Sequence, residues 1–232
     1  MAYQSVKALT FDVGGSVFDW QTAVREAVQA LAQKRDVEID DHAFAMDWRV
    51  RMFQLLAQVR SKELPWLNAD DLHRRALDDL APNYEQLELS SDERDALTMV
   101  WHRLDVWPDF PEALEVLRQH YCVVILSVLS FSILVDSSKH AGISWDGLLS
   151  CEFLGHYKPD KEAYLAATRL LRVSPEEAMM VAVHPGDLRA ARNAGFRTGY
   201  VAPKLEEPGS RGETTGFDIV AEDYADFVRQ IC

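Results

Sequence analysis

The stretch "KALTFDVGGSVFDW", residues 7–20, places a carboxylate, Asp12, at the end of an apolar run and follows it with Gly14, Gly15 and Ser16. Apolar runs of this length, bounded by turn residues, read as buried strands. Four later runs have the same character: "YCVVILSV" (121–128), "GLLSCEF" (147–153), "AMMVAVH" (178–184) and "RTGYVA" (197–202). Between them lie helical patterns, "PEALEVLRQH", "FSILVDSSKHAG", "KPDKEAYLAATRLL" and "PGDLRAARNAG". The second and fourth close on Gly142 and Gly195, where a C-terminal glycine is expected. Strands alternating with helices predict an α/β fold, a doubly wound, Rossmann-like parallel sheet.

Residues from about 21 to 105 read differently. They hold no convincing strand and at least four amphipathic helices, among them "QTAVREAVQALAQKR", "HAFAMDWRVRMFQLLAQVRSKEL" and "SDERDALTMVWHRL". Ser90 and Ser91 ahead of Glu93 predict a capped helix start, and Pro108 and Pro111 mark the return to alternating structure. The expected organisation is a core of residues 1–18 and 106–232 with an all-helical insertion over 19–105. The segment 203–216, "PKLEEPGSRGETTG", reads as a surface loop.

Composition narrows the partners. The formal charge of −13 and the absence of a Lys/Arg cluster interleaved with aromatics argue against nucleic acid. There is no run of 18 apolar residues to span a membrane. Three cysteines, Cys122, Cys151 and Cys232, form neither a disulfide framework nor a zinc pattern, which points to a reducing cytoplasm.

Ligands of open α/β sheets bind at the carboxyl ends of the strands. There the sequence sets Asp12, then Ser127, then Lys158 in "GHYKPD", then His184 and Asp187 in "HPGD". Asp12 is a candidate nucleophile, metal ligand or buried structural acid. Three charged groups from separate strand ends are costly to bury together unless they are used. A lysine beside a carboxylate keeps it ionised, as a nucleophile requires, although the same pair would serve as a structural salt bridge.

Four motifs in order, "TFDVGGSVFDW", "VVILSVLS", "GHYKPDKEAYLAA" and "VAVHPGDLRAARNAGFRTGYV", make the chain resemble the haloacid dehalogenase (HAD) superfamily, in its type II (S)-2-haloacid dehalogenase branch. The interval "WHRLDVWPDFPEALEVLR" is similar to that branch as well. The resemblance implies a helical cap inserted after the first strand, no cofactor, a small halogenated carboxylate as substrate and a possible homodimer. It implies that Asp12 displaces halide to form an aspartyl ester that water then hydrolyses. Lys158 would keep Asp12 ionised, and Asp187 would position the water or orient Lys158. Ser16 and Ser127 match positions that bind the nucleophile or the substrate carboxylate. Arg49 in "MDWRVRM" matches a halide-binding arginine ahead of Arg51, and His184 has an accessory polar role. Trp20, Trp48 and Trp107 are expected to line the pocket or to pack between cap and core.

Two departures matter. Phosphatases of the superfamily carry a second aspartate two residues after the nucleophile, as acid for the leaving alcohol. Gly14 stands there. A halide leaves without a proton, so the missing acid favours dehalogenation; Gly14 also departs from the aromatic residue of the dehalogenases, which is expected either to open space for a bulkier substrate or to loosen the loop. Val128 replaces an amide that the branch places near the substrate carboxylate. Two alternatives follow: a magnesium-dependent phosphatase with Asp12, the Gly14 carbonyl and Asp187 on the metal, or a weakly catalytic family member kept for binding.

Overall fold

The computed structural model describes residue 3 and residues 5–205, 209, 210 and 212–232. The run that ends in Asp12 forms strand β1 (Ala8–Phe11), wholly buried. It pairs in parallel with β4 (Cys122–Ser127) on one side and β6 (Ala178–Ala182) on the other. Strands β5 (Gly147–Ser150) and β7 (Arg197–Val201) extend the sheet outward. A short strand, β8 (Ile219–Ala221), which the sequence reading does not anticipate, completes the order β5-β4-β1-β6-β7-β8. Three residues flanked by aspartates and glutamates are too few to register as an apolar run. Every pairing in this sheet is parallel.

Alternate side chains of each strand face opposite layers. Leu9, Phe11, Val123, Ile125, Met179 and Val181 join one apolar cluster, with Leu114 and Leu117 of α5 (Phe110–Arg118) and Tyr224 and Phe227 of α10 (Tyr224–Ile231). Leu126, Met180 and Ala182 join the other, with Tyr164 and Ala167 of α8 (Lys161–Leu171) and Leu188 and Ala191 of α9 (Pro185–Asn193). Helices α6 (Phe131–His140) and α7 (Cys151–Leu154) flank β5. The segments ending α6 and α9 turn through Gly142 and Gly195 at φ +68° and +99°, left-handed backbone that favours glycine. The chain runs outward from β1 through β4 and β5 on one side and then through β6, β7 and β8 on the other, so the topology reverses at β1 and the crevice opens at its tip.

Between residues 19 and 105 the structure is helical: α1 (Trp20–Arg35), α2 (Asp41–Arg60), α3 (Ala69–Leu80) and α4 (Ser91–Thr98), with 3₁₀ turns at Ala81–Leu87 and Met99–His102. Ser90 caps α4 in a reciprocal capping box with Glu93. A two-residue antiparallel ladder joins β2 (Phe18–Asp19) to β3 (Asp105–Val106) at the neck, and the expected boundaries at 18/19 and 105/106 fall within it. Of the expected loop over 203–216, residues 206–208 and 211 lie outside the described residues. No helix is long and apolar enough to cross a membrane among the described residues, and all three cysteines are free.

His102 bridges the two regions, with Nε2 2.6 Å from Asp70 of α3 and Nδ1 2.8 Å from Asp136 of α6. Its pKa is raised, by the Asp70 hydrogen bond first, against the opposing effect of burial and with help from Asp136. A raised pKa means stability fully present below the unfolded-state value near 6.5 and lost as pH rises through the folded-state value. Denaturant midpoints of the wild type and His102→Gln, compared between about pH 5 and pH 9, should converge toward the alkaline end. A constant gap would show that the imidazolium contributes nothing.

Candidate active site

Asp12 follows β1 directly, and its N–H still donates to the Val181 carbonyl at 2.9 Å, so the adjacent strand holds it in register. The loop beyond it is fastened from two sides. Trp107 Nε1 donates to the Gly15 carbonyl at 3.0 Å, and the Tyr224 hydroxyl donates to the Ser16 carbonyl at 2.7 Å. Gly15 turns the chain at φ +84°.

The strand ends bring the sequence candidates together. Lys158 Nζ donates to Asp12 Oδ1 at 2.9 Å and to Asp187 Oδ2 at 2.7 Å. Ser16 Oγ donates to Asp12 Oδ2 at 2.8 Å and accepts from the Val183 N–H. His184 Nδ1 stands 3.1 Å from the same oxygen and donates to it when that nitrogen carries the proton. Burial by itself would raise the pKa of Asp12, but the Lys158 ammonium and the His184 contact overcome it and hold the carboxyl well below the usual carboxylate range. Burial pulls Lys158 down, and Asp12 and Asp187 more than compensate, so its pKa is raised. Both groups are charged at neutral pH.

Ser127 Oγ accepts the Leu129 N–H, closing the turn after β4, and the residue lines the crevice beside Val128 without a hydrogen bond to Asp12. Tyr164 is absent from the sequence candidates. Its hydroxyl donates to Asp187 Oδ1, so it fixes the carboxylate that fixes Lys158. Its position one helical turn after "KPD" was its sole signal in the sequence.

The crevice is a cavity of about 630 Å³ whose walls include Asp12, Gly14, Ser127, Lys158, His184 and Asp187 from the strand ends and Arg49 from α2. Arg49 is 3% exposed, with its guanidinium carbon 5.2 Å from the Trp20 ring centroid, 4.6 Å from Phe53 and 5.5 Å from Trp101. Arg51 instead turns outward to pair with Asp79 at 2.6 Å. The three tryptophans pack rather than line the cavity. Trp20 stacks on Trp101, whose centroid is 5.5 Å away, Trp48 donates to the His73 carbonyl, and Trp107 holds the Gly15 loop. Trp101, not singled out in the sequence, is the centre of the aromatic box around Arg49. Buried His73 beside it is pushed down to about 3, by desolvation first and then by Arg49, and is neutral at physiological pH.

Gly14 corrects an expectation. The volume next to it is not open: a Cβ built there would come within 2.8 Å of Arg49 Nη2. The missing side chain admits the guanidinium, not extra substrate. Arg49 Nη2 is the far end of a flexible side chain that borders the cavity, so Gly14→Ala should displace the guanidinium with little loss of stability. The displacement would appear as a raised KM with a nearly unchanged denaturant midpoint, and an unchanged KM would show that Arg49 keeps its place.

A magnesium ion of the phosphatase alternative would have to share carboxylates that already serve other groups: all four oxygens of Asp12 and Asp187 accept from Lys158, Ser16, His184 or Tyr164. The Lys158 ammonium lies between the two carboxylates. Among the described residues no group of three or more His, Cys, Asp or Glu side chains is arranged to hold a metal ion.

Comparison with known proteins agrees with this geometry. Residues 6–195 match the family model described as haloacid dehalogenase-like hydrolase. The crystal structure of an L-2-haloacid dehalogenase superposes with a TM-score of 0.90 at 34% identity, covering 97% of this chain and 98% of that one. A defluorinating L-2-haloacid dehalogenase superposes at 0.89 with 33% identity, over 97% and 95%. The (S)-2-haloacid dehalogenase of Pseudomonas sp. (strain YL) is 26% identical over 219 residues, 93% of this chain and 91% of the relative. With its parallel sheet, its helical insertion and its charged crevice at the tip of β1, this chain belongs to the haloacid dehalogenase superfamily of hydrolases, in the (S)-2-haloacid dehalogenase branch.

Proposed function

We propose that the protein is a hydrolase of carbon–halogen bonds, acting on 2-halo carboxylic acids through an ester on Asp12 and without a metal ion. The observation that carries this reading is the state of Asp12: buried, ionised, and held by Lys158 at 2.9 Å with no acid at position 14 to protonate a leaving alcohol. The helical region over 19–105 acts as the cap that closes the crevice and contributes Arg49.

In the first step a carboxylate oxygen of Asp12 attacks the carbon bearing the halogen, and halide leaves with the bonding electron pair, inverting that carbon. Halide needs no proton, so the site needs none at position 14. Arg49 neutralises negative charge in the crevice, where two cations, Lys158 and Arg49, balance Asp12 and Asp187 before the anionic substrate enters. In the second step water adds to the ester carbonyl of Asp12. The 2-hydroxy acid leaves with one proton of that water, the second proton is released, and the water's oxygen stays in the Asp12 carboxylate. His184, on the cavity wall with Nδ1 3.1 Å from Asp12 Oδ2, is placed to accept that proton. Asp187, with both oxygens occupied, acts through Lys158.

Free halide should be released from 2-chloropropionate, chloroacetate or fluoroacetate at the same rate with EDTA as with magnesium. A single turnover in heavy-oxygen water should label Asp12, read by mass spectrometry of the peptide containing it. Label found in the hydroxy acid alone would refute the ester, and phosphate release from an aryl phosphate that depends on magnesium would refute the reaction class.

A further inference from the structure

Helix α2 carries apolar residues on two faces. Phe44, Ala45, Trp48, Met52, Leu55, Leu56 and Val59 are buried within the helical region. Val50, Phe53 and Ala57, spaced at helical intervals on another face, line the crevice, with Gln54 as the polar member of the stripe. Val50 remains 44% exposed and Phe53 37%. Val128 and Pro159 add apolar wall from the sheet side. A three-carbon halo acid has the bulk of four or five waters, roughly 150 Å³ at the liquid's share per molecule, against a cavity of about 630 Å³. The cavity falls in the size range of sites for far larger ligands. Among the described residues the charge in the lining is confined to the strand-end side and Arg49, and Gln54 is the polar side chain of the α2 stripe.

Resting on the dehalogenase reading above, we infer that the substrates are 2-halo acids bearing an extended apolar substituent on C2, which lies along the Val50–Phe53–Ala57 stripe and against Val128. Val128 then has a role as an apolar wall, in place of the polar anion partner that the branch carries there. The room for the chain comes from this stripe and not from Gly14, whose side-chain volume Arg49 fills.

The test compares bromide release by the whole chain from 2-bromopropionate, 2-bromohexanoate and 2-bromooctanoate, with titration calorimetry of lactate and 2-hydroxyoctanoate alongside. Each buried methylene is worth roughly fourfold in binding, so kcat/KM should rise at least about tenfold from the propionate to the octanoate even if two methylenes are buried. 2-Hydroxyoctanoate should bind tighter than lactate by a similar factor. Ala57→Trp should fill the stripe and lower the octanoate-to-propionate ratio about tenfold. Val50→Thr, which keeps the volume and sits at a partly exposed position, should lower the ratio in the same direction without threatening the fold. Turnover of 2-bromopropionate with a flat or falling series, or ratios unmoved by both variants, overturns the inference. Bromide from no acid overturns the dehalogenase reading, and calorimetry then decides the subsite by itself: tighter binding of the longer hydroxy acid upholds it, and equal affinities overturn it.

Discussion

Asp12→Asn is expected to reduce halide release by about four orders of magnitude or more while the fold survives. An amide oxygen is not a nucleophile toward a carbon–halogen bond, and no neighbour replaces it: Lys158 is charged, and Asp187 gives both oxygens to Lys158 and Tyr164. The amide is nearly isosteric with the carboxylate, and its oxygen can still accept from Lys158. Lys158 keeps Asp187 as its counter-ion, so the stability loss is that of one charge in a shared pair. Halide electrode or chromatographic assays, with circular dichroism to verify folding, measure both effects. Residual turnover within tenfold of the wild type would remove Asp12 from the chemistry.

Lys158→Met should damage stability and activity together. It leaves Asp12 and Asp187 buried side by side with no cation between them, a loss of the order of about 3–5 kcal/mol for breaking a buried pair. The pH dependence carries the sign. In the wild type Asp12 is depressed, so its contribution is present above the unfolded-state value near 4 and lost as pH falls through the still lower folded-state value. Without Lys158, burial and the charge of Asp187 raise the pKa of Asp12 instead. The variant should therefore be most destabilised near neutrality and approach the wild type in acid, and any residual activity should have its acid limb displaced upward. Urea midpoints at pH 7 and near pH 4, with kcat/KM across the same range, check both. Equal midpoints at neutral pH would mean that the two carboxylates do not depend on this lysine.

Parallel strands buried on both faces are written as unbroken apolar runs, which is why β1, β4, β6 and β7 were legible; β5, half-buried at the sheet edge, ends at Ser150, and the rest of its run, Cys151–Phe153, is the start of α7. Strand β8 and the β2–β3 neck were not, because two or three residues carry no period and are held by neighbours distant in sequence. Asp12, Ser16, His184 and Asp187 could be named because each sits close after a strand end, where the chain topology itself delivers it to one crevice; Lys158, beyond β5 and α7, was named from the "GHYKPD" motif. Arg49 and Arg51 differ by two positions on one helix, and the turn of that helix inside its aromatic box sends one inward and the other to Asp79. Tyr164 and Trp101 looked like ordinary core aromatics.

By itself, then, the order of apolar runs and polar strand ends determined a parallel sheet with a carboxylate and a lysine at its switch point. What fills the space beside Gly14, which arginine enters, and which face of α2 borders the crevice were decided by tertiary packing. Those are questions of side-chain volume and direction between segments far apart in the chain, and local residue patterns carry no information about them.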